Sequence, residues 1–128
     1  MGEVLMKEER REFSRIALRR PASLQTSGGT VACELLDISL RGALVHLPEG
    51  LGAVVGEPCT LVVRLSHAAV TIRMCGVVAH ADAATVGVAC RELDLDSVAH
   101  LRRLVELNLA DDRLLDRELI ALASSRRK

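Results

Sequence analysis

The sequence predicts a mainly β fold, a small six-stranded antiparallel barrel followed by C-terminal α-helices. Three observations carry this expectation. Short β-branched runs recur along the first two thirds of the chain, and glycine- or proline-rich turns separate them. No helical pattern interrupts those runs before Leu93, which disfavours a βαβ architecture. Beyond Leu93 the apolar spacing changes from two residues to three or four.

The elements follow in order. Between the short runs "ASLQ" and "VACELLD", "SGGT" (Ser27 to Thr30) reads as a hairpin turn, because glycine reaches positive φ without steric cost. "GALVHLP" follows Gly42, and "PEGLGAVVGEP" is a loop. "CTLVVRLS", "VTIRMCGVVAHA" and "TVGVACREL" supply three more strands. In the second of these, Thr71 and Arg73 alternate with Val70, Ile72 and Met74, so one face is expected to be wet. Asp94 or Asp96 caps a helix start, and Val98, Leu101, Leu104 and Val105 then recur at helical spacing. A further amphipathic segment begins near Asp111 or Asp112 and carries Leu115, Leu119 and Leu122. By this reading residues 1–20 form a flexible basic arm, 21–109 the barrel with its closing helix, and 110–128 a second amphipathic helix and a tail.

At 128 residues, 49% hydrophobic and 27% charged, the chain has the size of one compact core. Its apolar runs fall short of the roughly 18 residues that a membrane span needs, and its start is charged where a signal peptide would be apolar. The expected location is the cytoplasm, away from membranes. Cys33, Cys59, Cys75 and Cys90 form no CxxC pair and read as free thiols of a reduced core.

The net charge of zero hides an asymmetry. Arg10 to Arg20 holds five arginines and one glutamate, whereas Glu92 to Glu118 holds eight acids against four arginines. A nucleic-acid polymer is therefore not the expected partner, since affinity for one comes from neutralising many phosphates. The basic arm suits a small anion. Catalytic sets are missing from the sequence: there is no GxSxG, no P-loop, and no close pairing among His46, His67, His80 and His100. The chain is expected not to be an enzyme.

Two polar islands remain. The first holds Arg10, Arg11 and Arg15; the second is "DISLRG", Asp37 to Gly42. In an extended strand Asp37 and Ser39 project to one side, and Gly42 offers a backbone conformation that other residues resist. Arginine can fork to a phosphate or to guanine O6 and N7, and a carboxylate accepts from guanine N1 and N2. The combination fits a guanine nucleotide.

These residues resemble the PilZ domain. "RREFSR" is similar to its RxxxR motif, with Arg11 and Arg15, and "DISLRG" to its DxSxxG motif, with Asp37, Ser39 and Gly42. The resemblance implies a six-stranded antiparallel split barrel with a helix, and a receptor for the bacterial second messenger cyclic di-GMP. It also implies roles. Arg11 and Arg15 grip phosphate and a guanine edge, Asp37 and Ser39 hydrogen-bond a guanine, and Gly42 shapes the turn beneath. Arg10, just before RxxxR, goes with an intercalated ligand dimer. His80 stands where relatives carry a stacking aromatic at the end of the fifth strand, and Phe13 tacks the arm down. The stretch from Asp94 onward resembles that of stand-alone PilZ adaptors, some associated with chemotaxis methyltransferases. A protein effector of that kind is expected to read an arm ordered by ligand, from a monomeric receptor without a cofactor.

Two alternatives compete. Divergent PilZ modules act without ligand, but this chain keeps the arginines, Asp37 and Ser39. A small RNA-binding barrel would carry stacking aromatics, and the chain has one Phe, no Tyr and no Trp.

Overall fold

A computed structural model describes residues 15–47, 53–65, 70–110 and 117. Six strands come first: β1 (Ile16–Thr26), β2 (Gly29–Ser39), β3 (Gly42–His46), β4 (Pro58–Arg64), β5 (Thr71–Ala81) and β6 (Thr85–Leu93). One helix follows, α1 (Leu95–Ala110). Every strand pairing is antiparallel, and the strands close in the order β1-β2-β3-β6-β5-β4, with β4 returning to β1. The expected barrel is observed. The second amphipathic segment, with Leu115, Leu119 and Leu122, lies outside the described residues.

The boundary expected after residue 20 falls inside β1, which starts at Ile16. Ile16 and Leu18 are buried and alternate with exposed Ala17 and Arg19, a period of two that the arginines obscure in the sequence. Arg19 pairs with Glu34 at 3.3 Å, and Arg20 donates to the carbonyls of Arg64 and Leu65. Two of the five clustered arginines thus belong to the barrel wall. Pro21 lies one residue outside the β4-paired run of Ala22 to Gln25, where a residue without an N–H is tolerated.

Thr26 pairs with Gly29 across the Ser27–Gly28 turn, and Gly29 takes φ +125° there. The interior is filled by alternate residues, among them Leu24, Leu35, Ile38, Val45, Leu61, Val63, Ile72 and Met74, all fully buried. Thr71 and Arg73 stay on the wetter side of β5, as their alternation requires. Cys33 and Cys59 are buried free thiols, whereas Cys75 and Cys90 are half-buried.

Helix α1 packs against β5, and its Leu101, Leu104 and Val105 are buried in the core. Asp94 is its cap: the Ser97 N–H donates to Asp94 Oδ1 at 2.7 Å, and the Val98 N–H donates to the Asp94 carbonyl. Buried Ser97 then accepts the Arg73 N–H at 2.8 Å. That hydroxyl serves β5 beyond the last β6 residue paired with it, Leu93 opposite Met74.

Candidate functional site

Arg15, from the first sequence island, meets Asp37, from the second, on the barrel wall. Arg15, immediately before β1, donates from a guanidinium nitrogen to Asp37 Oδ1 of β2 at 2.5 Å. The side chains are 52% and 25% exposed, so the pair is open to solvent on one side. Arg10 and Arg11 lie outside the described residues, as does Phe13.

Asp37 and Ser39 flank Ile38, which is buried in the barrel, so both leave β2 on the outer side. An irregularity between Leu35 and Asp37 leaves Leu36 as an extra residue opposite β3, and it sets this parity. Ser39 is only 2% exposed, and its Oγ accepts the Arg41 N–H at 3.1 Å. Its hydroxyl therefore organises the turn into β3 and holds the backbone that follows Asp37.

Gly42 has a different reason from the expected one. Its φ is not positive; among the described residues only Gly29 and Gly56 have a positive φ. Instead, a Cβ at Gly42 would overlap the Val88 carbonyl oxygen of β6. The glycine lets β3 and β6 approach, and backbone freedom is not what the position uses.

Strand register extends the site sideways. Ala17 faces Asp37, Asp37 faces Leu44, Leu44 faces Gly87, and Gly87 faces His80. Facing residues of antiparallel strands project to the same side, so these five form one outer row across β1, β2, β3, β6 and β5. Asp37 and His80 are three strand spacings apart, about 14 Å. Gly87 leaves a gap in that row between Leu44 and His80.

His80 reaches the row through a bulge. Ile72, Met74, Gly76 and Val78 point inward at alternate positions, and unbroken alternation would bury His80 as well. An extra residue, Ala79, between the pairs Val78–Val88 and His80–Gly87 turns the imidazole outward. Its Nε2 lies 3.2 Å from Asp82 Oδ2. The other carboxylate oxygen, Oδ1, accepts from the Ala84 N–H, the Thr85 N–H and the Thr85 hydroxyl at 2.9–3.1 Å. Led by the Thr85 N–H, these bonds hold the Asp82 carboxyl well below the usual carboxylate range.

Asp82 and Gly87 were not singled out from the sequence. "HAD" followed by "AAT" does carry an Asx-turn signal, but the turn's link to His80 depends on the bulge. A groove of about 390 Å³ elsewhere on the barrel, lined by Gln25, Thr60, Cys75, Arg91 and Glu92 among others, includes none of the motif residues. Among the described residues no cluster of three metal-ligating side chains occurs, and no helix is long and apolar enough to cross a membrane.

Known proteins share this architecture. The fold is similar to that of the Bacillus subtilis inhibitor of motility (MotI/DgrA), with a TM-score of 0.68 and 20% identity over 81% of this chain and 53% of that one. The chain thus spans about half the length of that protein. It is also similar to the PilZ domain of CeSA from a cellulose synthesizing bacterium, with a TM-score of 0.55 and 19% identity over 75% of this chain and 97% of that one. The sequence profile described as PilZ domain matches residues 9–107, a span that contains both motif islands and all six strands. On that match, the chain belongs to the PilZ domain family.

Proposed function

We propose that the chain is a non-enzymatic receptor for cyclic di-GMP. The observation that carries this reading is the contact between Arg15 and Asp37, which joins the two motif islands across 22 residues of sequence. A guanidinium beside a carboxylate offers a guanine base a donor fork and an acceptor within one ångström-scale patch. Arg11 adds a second grip, and Arg10 goes with binding of an intercalated ligand dimer. Asp37 hydrogen-bonds a guanine, Ser39 and Gly42 fix the turn beneath it, and His80 contacts the far side.

In this reading binding orders the arm upstream of Ile16 and so changes a surface that a protein effector recognises. A chemotaxis methyltransferase is the effector class to test first. The receptor acts as a monomer in the cytoplasm.

Titration calorimetry with cyclic di-GMP, cyclic di-AMP and GTP tests the central claim. Saturable heat with cyclic di-GMP alone supports it, and no heat at tens of micromolar would falsify it. Arg15→Ala and Asp37→Ala should each abolish that heat while leaving the melting temperature nearly unchanged, because an exposed ion pair contributes only about 0.2–1 kcal/mol. A stoichiometry of two ligands per chain supports the role of Arg10. NMR of Arg10 to Arg15 tests the ordering step: amides already rigid before ligand is added would refute it.

A further inference from the structure

Four features converge around His80. The Ala79 bulge sends His80 outward, the register places His80 in the same outer row as Asp37, and Gly87 opens a gap beside it. A Cβ at Gly87 would press to 3.3 Å of the His80 Cβ, so the gap exists only with glycine there. The fourth feature is Asp82, which is tied to the turn through Oδ1 and to the imidazole through Oδ2.

A carboxylate can only accept, so the Asp82 contact favours the His80 tautomer with its proton on Nε2. That contact limits the ring's rotation. His80 remains 61% exposed, so the ring anchored at Nε2 still has surface free for a ligand. An imidazole anchored by one nitrogen makes its other contacts at lower entropic cost than a freely rotating one.

We infer that Asp82 is a positioning residue for the ligand site: it holds His80 so that the ring meets a base or sugar-phosphate edge lying over Gly87. The inference rests on the receptor reading above. The ligand then spans the row, gripped by Arg15 and Asp37 at one end and by the His80–Asp82 pair at the other.

Asp82→Asn is the informative change. Asparagine keeps an acceptor oxygen for Ala84 and Thr85 but offers an amide donor where the carboxylate accepted from His80, so the turn survives and the His80 anchor does not. Cyclic di-GMP affinity should fall roughly two- to tenfold, the effect of releasing one side chain. It should not fall further when Asp82→Asn is added to His80→Ala. Nitrogen-15 shifts of the His80 ring, which a turn residue without a bond to the ring would not move, should differ between wild type and Asp82→Asn. An unchanged affinity in Asp82→Asn, or an equal loss in the His80→Ala background, overturns the inference and leaves the receptor reading standing. If the wild-type protein binds no cyclic di-GMP, both fall together.

Discussion

Gly42→Ala separates two physical accounts of one motif residue. If the position needed backbone freedom, alanine would suffer from a strained φ; with φ outside the positive region, it suffers from contact instead. The added Cβ overlaps the Val88 carbonyl oxygen, and that oxygen belongs to the β3–β6 ladder, in which Ala43 faces Val88 and Gly42 faces Ala89. A flexible side chain could swing away, but a ladder carbonyl cannot move without separating the strands. Overpacking of a tight site costs about 1–3 kcal/mol, and a backbone clash belongs in the upper part of that range. For a chain of this length a loss of about 2–3 kcal/mol lowers Tm by roughly 6–15 °C. Circular dichroism melts of the two proteins at equal concentration measure it. Cyclic di-GMP binding should weaken with stability, because the same separation lifts the turn that Ser39 holds. A Gly42→Ala protein melting within about 2 °C of wild type would refute the close-approach argument. Gly29→Ala is the control: there a Cβ meets open space and the penalty comes from φ +125° alone.

Other expectations follow from the same contacts. Ser97→Ala removes the acceptor of the Arg73 N–H and should cost about 1–3 kcal/mol in urea denaturation; an unchanged midpoint would mean that water replaces the hydroxyl freely. The carboxyls of Asp94, held low by the Ser97 hydroxyl and N–H, and of Asp82, held low by the Thr85 and Ala84 N–H groups, are depressed in the folded state. Their contribution is therefore present above the ordinary carboxylate value near 4 and lost as pH falls below it. Melts between neutral and acid pH should show that fall, and Asp94→Ala should flatten it. Burial pushes the Cys33 thiol up to about 11, so at pH 8 a water-soluble thiol reagent should label half-buried Cys75 well before Cys33, as peptide mass spectrometry of the labelled native protein can read.

Much of the fold was legible because barrel strands alternate. Ile72 and Met74 against Thr71 and Arg73 fixed both the existence of β5 and its inward face, and "SGGT" marked the first hairpin. The start of β1 was hidden because Arg15, Arg19 and Arg20 dominate a stretch in which Ile16 and Leu18 carry the strand signal. The motif islands themselves were visible, and so was the shared side of Asp37 and Ser39. Three features were not. Bulges at Leu36 and Ala79 shift side-chain parity by one, and no local composition announces them. The reason for Gly42 lies in β6, more than forty residues away. Asp82 looks like any turn aspartate until the register brings His80 outward beside it.

In the proposed receptor, the contact between Arg15 and Asp37 would make ligand binding an exchange reaction. A guanine that takes the Asp37 carboxylate must share it with Arg15 or displace it, so the measured affinity is a difference between two electrostatic attractions. Added salt weakens both, since the Arg15–Asp37 pair is partly exposed and the ligand's phosphates are charged. Screening the ion pair releases the acceptor while screening the phosphates reduces the pull of the remaining arginines. The salt dependence of cyclic di-GMP binding should therefore be shallower than a count of arginines against phosphates implies.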